Sequence, residues 1–253
     1  MTEIQILNVR FLSARVDDLL RNLNAGFLMP VNVDMMVKLQ KDADFHKACR
    51  DAEYVICDSR IIYFASIFLG RKIHEVIPGS SFFPRYCDFR RDDPEVKIFL
   101  LGAAPGVADA AARRINSRTG REIVVGTCSP SYNFVNDEAE SLDIVDRINR
   151  SGATVLAVGV GAPKQEKWIM RHRTMLKNVR LFMAIGATID FEAGNLKRAP
   201  KCFQKIGMEW FYRLCMEPRR LWKRYLIDDI PFFFLILKQR LGIYSNPFEA
   251  RTK

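Results

Sequence analysis

The chain has 253 residues and carries 39 Lys/Arg against 29 Asp/Glu, a net charge of +10. That length supports one large α/β domain with an appendage, and an apolar content near one half excludes a disordered chain. The six cysteines (49, 57, 87, 128, 202 and 215) form no C-x-x-C pair and no zinc-type spacing with the three histidines, so reduced cytosolic thiols are expected and no metal site.

In chain order, the opening MTEIQILNVRF lacks the charged-then-apolar layout of a signal peptide. Strands are expected at 26–33, 54–57, 96–101, 122–126, 154–158 and 181–185. Helices are expected near 34–50, 59–69, 105–118, 136–151 and 164–174. Strands separated by helices of this length imply βαβ units. The expected fold is therefore α/β, a Rossmann-like, mostly parallel sheet with helices on both faces. After Gly194 the chain turns helical, basic and aromatic, which sets a boundary near 195: a catalytic unit at 1–195 and a basic helical appendage at 196–253. The longest apolar run, 230–237, is well short of the roughly 20 residues of a bilayer span. Neither export nor membrane crossing is expected.

In an open parallel sheet, functional residues sit just past the strand ends. Asn32 lies at the end of the first expected strand, and Asp58 follows the second. Asp58 reads either as a helix cap or as a general base in the crevice, where the Asn32 amide would orient a sugar hydroxyl beside it. Gly102-Ala-Ala-Pro-Gly106 follows the third strand and reads equally as a tight βα turn or as backbone N–H groups facing a phosphate. It matches neither a dinucleotide fingerprint nor a Walker loop. The fifth strand runs into Gly159-Val-Gly-Ala-Pro-Lys-Gln165-Glu166. That stretch is ordinary helix-start chemistry, or else an amide and a carboxylate that grip sugar hydroxyls.

Most of the charge excess lies in the tail: from Lys197 to Lys253 there are 13 Lys/Arg and 5 Asp/Glu. Arg213, Arg220 and Arg224 have the spacing to share a helical face, although Pro218 interrupts it. A solvated surface, nucleic acid, anionic lipid or a phosphorylated substrate would each account for the charge. Interleaved Trp and Phe favour a lipid diphosphate at a membrane surface, and no nucleic-acid-reading motif accompanies the charge. The Phe82-Phe83 pair reads as core.

Gly161-Ala-Pro-Lys-Gln-Glu166, Asp190-Phe-Glu-Ala-Gly194, Arg198-Ala-Pro200, Gly207-Met-Glu-Trp210 and Arg213 through Glu217-Pro218-Arg-Arg220 occur in that order. Together they resemble the WecG/TagA/CpsF glycosyltransferases, glycosyltransferase family 26, over about 26–225. The resemblance implies an inverting, metal-independent transfer from a UDP-sugar to a polyprenyl-diphosphate-linked sugar. The enzyme would act peripherally on the cytoplasmic face of a bacterial membrane, with no cofactor and with a possible change of oligomeric state. It makes Asp58 the general base, places Asn32 and Gln165 at the substrate, and puts Arg213, Arg220 and Lys223 or Arg224 on the lipid diphosphate; Gly79, Gly102, Gly106 and Glu166 are expected at the substrate beside them.

Two positions depart from the family pattern. Pro30-Val-Asn32 stands where Thr-x-Asn is common. Val76 stands where Glu-Arg-Val-x-Gly has its arginine, with Arg60 or His74 as candidate replacements. In the family's arrangement both positions lie near the donor, so the departures point to a plain hexose such as glucose, for use in exopolysaccharide synthesis. The alternatives are an N-acetylmannosaminyl (or uronic acid) transferase of the same family and a non-catalytic module that binds anionic membrane or nucleic acid. Asp42-Ala-Asp44, the only D-x-D, is expected inside a helix as surface charge.

Overall fold

The structure, a computed structural model, describes residues 2–196, 199, 203 and 209–249. It opens with an antiparallel hairpin, β1 (Thr2–Ile6) and β2 (Val9–Ser13), then α1 (Val16–Asn22). The α/β body follows as β3 (Gly26–Val31), α2 (Val33–Lys38), α3 (Ala43–Arg50), β4 (Tyr54–Cys57), α4 (Arg60–Phe68) and α5 (Gly79–Phe89). It continues through β5 (Ile98–Gly102), α6 (Val107–Thr119), β6 (Val124–Cys128), α7 (Glu138–Ser151), β7 (Val155–Gly159), α8 (Lys164–His172), β8 (Leu181–Ala184) and α9 (Thr188–Ala193). The tail supplies α10 (Glu209–Met216), α11 (Pro218–Lys223), a π-helical turn (Arg224–Asp228) and α12 (Ile230–Arg240).

Six strands form one parallel sheet in the order β4-β3-β8-β7-β5-β6. Its strands are apolar on both sides because both faces are covered. Phe27, Met29, Phe99, Leu156 and Phe182 enter one core with the hairpin, α2, α3 and α7. Leu28, Leu100, Ala157 and Met183 enter the other with α1, α5 and α6. The last helix is anchored on the first core by Phe232 and Ile236, and Gln239 Oε1 accepts from the Leu7 N–H at 2.8 Å. No helix among the described residues is long and apolar enough to cross a membrane.

Three differences from the expected elements have local causes. The helix expected at 34–50 is two helices, because the Asp42 carboxylate caps α3 by accepting from the Phe45 N–H at 3.0 Å. Asp42 therefore starts a helix instead of lying inside one, and it pairs with Lys167 at 2.6 Å. The hairpin turns at Leu7, which has a φ of 52° and carries no glycine to announce it. An internal Pro84 conceals α5 from a pattern search.

Candidate active site

The chain leaves β3 and β8, which are neighbours, towards opposite faces. β3 leads to α2 in the first core, and β8 leads to α9, which carries Ile189 into the second. Pairing of β3 with β8 covers only Gly26 to Leu28, so the strand ends part beyond it. The Val31 carbonyl accepts from the Asp58 N–H at 3.0 Å, so Pro30 turns its backbone towards β8, past the last ladder pair. A proline there forfeits no sheet hydrogen bond. The crevice at this switch point is a cavity of about 900 Å³.

Asn32, Asp58, Gly79, Gln165 and Arg224, all expected at the site, line this cavity. Asp58 does not cap α4: Ser59 does, with Oγ accepting from the Ile61 N–H at 3.2 Å. The half-buried Asp58 carboxylate instead accepts from the Gly79 N–H at 3.1 Å, at the first turn of α5. Gly79 thus acts on the acid itself, and a Cβ there would meet the Pro30 ring at 3.0 Å. Asn32 caps α2, and its Oδ1 accepts from Met35 N at 3.1 Å and from Arg224 Nη2 at 3.3 Å.

Gln165 answers why a glycine turn is followed by an amide and a carboxylate. Its Oε1 accepts from the Gly161 and Gly186 N–H groups at 3.2 and 3.3 Å, tying together the turns after β7 and β8. Its Nε2 donates to Glu166 Oε1 at 2.8 Å. Glu166 does not line the cavity; it is wholly buried behind the wall, where it fixes Gln165. Burial pushes its pKa up to about 7.

Gly102 and Gly106 also fall outside the cavity lining. A Cβ on Gly102 would lie 2.5 Å from the Gly159 carbonyl oxygen, and one on Gly159 would lie 2.6 Å from that of Gly186. The glycines therefore let the ends of β5, β7 and β8 close on one another. Lys223 is exposed and does not line the cavity. The side chains of Arg213 and Arg220 lie outside the described residues, as do Arg198, Pro200 and Gly207.

Several charged groups at the cavity were not singled out in the sequence. Asp34 pairs with Lys38 at 2.8 Å and with Arg224 at 3.4 Å, and all three line the cavity. The i,i+4 spacing of Asp34 and Lys38 was the available signal. Asp229 is 7 % exposed, and burial raises its pKa to about 6 against the opposing pull of Arg224. Glu75 accepts from the Val16 N–H at 2.9 Å and so caps α1. Arg85 lines the cavity while pairing with Asp17 at 3.0 Å.

Of the two candidate replacements for the arginine missing at Val76, Arg60 lines the cavity and has no carboxylate partner within 4.0 Å among the described residues. His74 is elsewhere, with Nε2 accepting from Arg15 at 3.0 Å. The cavity thus carries a carboxylate aimed by backbone, an amide, and cations from four separate elements. That set suits transfer of a group between an anionic donor and a hydroxyl acceptor.

Comparison with known proteins points the same way. The chain is 27 % identical over 214 residues to the "N-acetylglucosaminyldiphosphoundecaprenol N-acetyl-beta-D-mannosaminyltransferase" of Staphylococcus aureus strain MW2, covering 83 % of this chain and 78 % of that protein. Proteins of the same description from strains MRSA252 and NCTC 8325 match at the same identity and coverage. The model of the glycosyl transferase WecG/TagA/CpsF family matches residues 2–246, a span that holds the whole sheet, the cavity and the tail helices. With that match over nearly its full length, the chain belongs to the WecG/TagA/CpsF family of glycosyltransferases.

Proposed function

We propose that this glycosyltransferase moves an N-acetylhexosamine, N-acetylmannosamine first among the candidates, from its UDP derivative to a polyprenyl-diphosphate-linked N-acetylglucosamine in bacterial surface polysaccharide synthesis. The observation that carries the reading is the Asp58 carboxylate, aimed by the Gly79 N–H into a cavity that Asn32 and the tail's Arg224 also line. Asp58 takes the proton of the acceptor hydroxyl, that oxygen bonds to the anomeric carbon with inversion, and the bond to UDP breaks. Arg60 and Arg85 supply positive charge for the departing diphosphate of UDP, Arg224 supplies it for the diphosphate of the lipid-linked acceptor, and the transfer needs no metal.

The names of the relatives favour N-acetylmannosamine over the plain hexose expected from Pro30 and Val76. Pro30 is accommodated by the parting of β3 and β8, and Arg60 stands at the cavity without an acidic partner within 4.0 Å among the described residues. Neither departure therefore argues against an acetamido sugar. The tail, 196–253, is read as the part that meets the lipid-linked acceptor from the cytoplasmic side of the membrane.

The test is UDP release from UDP-N-acetylmannosamine and from UDP-glucose, with a lipid-diphosphate-linked N-acetylglucosamine acceptor and EDTA present. Turnover of the first donor in EDTA supports the reading. Turnover of UDP-glucose alone would return the assignment to a hexosyltransferase.

A further inference from the structure

A second cavity of about 640 Å³ lies between α2 and the C-terminal helices. α2 contributes Val37, the π-helical turn contributes Leu226 and Ile227, and α12 contributes Ile230 and Phe234. Leu226, Ile227, Ile230 and Phe234 are 53, 49, 44 and 63 % exposed. α12 already has its core anchors in Phe232 and Ile236, so folding does not account for an apolar outer face.

Two further features indicate what covers that face. Leu226 lines both cavities, and α2 and the C-terminal segment wall both, so the groove continues the main cavity outward. Charge is placed along the same path. Lys38 and Arg224 stand in the main cavity, and the exposed Lys41 and Lys238 line the groove. An apolar channel flanked by cations, joined to a chamber with more cations, is complementary to an anionic head on a hydrocarbon tail.

We propose that the groove between α2 and α12 binds the first isoprenoid units of the lipid-linked acceptor, holding the tail beside the chamber that receives its diphosphate. The inference rests on the transferase reading above and adds to it a site for the tail. A groove of this volume wraps a single chain, whereas a bilayer needs only a surface to lie against.

The experiment uses the full chain in detergent micelles with an isoprenoid diphosphate N-acetylglucosamine that carries a diazirine in its first isoprene unit. After irradiation, mass spectrometry is expected to find the label on the segments holding Val37 to Lys41 and Leu226 to Phe234. Phe234→Ser is expected to lower that labelling about tenfold. Phe234 is 63 % exposed, so the variant keeps its fold, which an unchanged Tm verifies. In turnover, Phe234→Ser and Ile230→Ser are expected to raise KM for a long-tailed acceptor about tenfold while leaving KM for a short-tailed acceptor unchanged.

Labelling confined to other segments would overturn the proposal. Equal labelling of the groove by a diazirine-tailed phosphatidylglycerol would also overturn it and assign the groove to the bilayer. An equal rise in KM for long and short tails would do the same. If the wild-type chain transfers no sugar, the transferase reading fails, and the labelling pattern still decides whether the groove holds an isoprenoid.

Discussion

Glu166 tests the packing that frames the cavity. Its carboxyl is wholly buried, Oε1 accepts from Gln165, and Oε2 is a buried oxygen with no hydrogen-bond partner among the described residues. Loss of solvent is the largest influence on it and raises its pKa from 4.5 to about 7. The folded chain therefore holds this proton more tightly than the unfolded chain does. Stability from this group is full below pH 4.5, falls as pH rises towards 7, and stays low above that. At about 1.4 kcal/mol per pKa unit, the loss is on the order of 3–4 kcal/mol.

Glu166→Gln keeps the shape and the oxygen that accepts from Gln165 while removing the charge. At pH 5 the variant should lie within about 1 kcal/mol of wild type, and at pH 8 it should be more stable by about 1–3 kcal/mol. Urea unfolding followed by tryptophan fluorescence measures both, since Trp168, two residues along α8, is 1 % exposed and reports on this part of the core. A variant less stable than wild type at pH 8, or one with the wild-type pH dependence, would refute the reasoning.

Gln165→Leu removes the acceptor shared by the Gly161 and Gly186 N–H groups. It should cost about 2 kcal/mol in urea unfolding and lower kcat/KM at least about tenfold; no change in either would deny Gln165 its clamping role. Gly102→Ala would set a Cβ 2.5 Å from the Gly159 carbonyl oxygen at a φ of +135°. Thermal unfolding should show a loss beyond about 3 kcal/mol, whereas Gly120→Ala, at a φ of +74° with open space around it, should lose about 1 kcal/mol. Equal losses at the two positions would mean that the close approach of β5 and β7 is not what requires Gly102.

The sheet was legible because its strands are short apolar runs between amphipathic helices, and burial on both faces leaves that pattern in the sequence. All six expected strands are present, with shifts of about two residues at β5 and β6. The hairpin and α5 were not legible, since the first turns without glycine and the second contains proline. Strand ends pointed to Asn32, Asp58 and Gln165, and all three line the cavity. What each side chain does there is a matter of three dimensions. Gln165 faces two glycine turns that lie 25 residues apart along the chain, Glu166 points inward, and Gly102 meets Gly159 across the sheet. Asp229 and Arg85 reach the cavity only through packing of α12 and α5, and no local spacing marks them.

The most direct test of the account is the initial rate of sugar transfer by Asp58→Asn, measured with UDP-N-acetylmannosamine and a lipid-diphosphate-linked N-acetylglucosamine. The asparagine keeps an oxygen to accept from the Gly79 N–H, so that bond to the first turn of α5 is retained while the negative charge and the ability to take a proton are lost. A rate at least about a hundredfold below wild type, with an unchanged Tm, is the predicted result. A rate within about threefold of wild type would contradict the assignment of Asp58 as the general base.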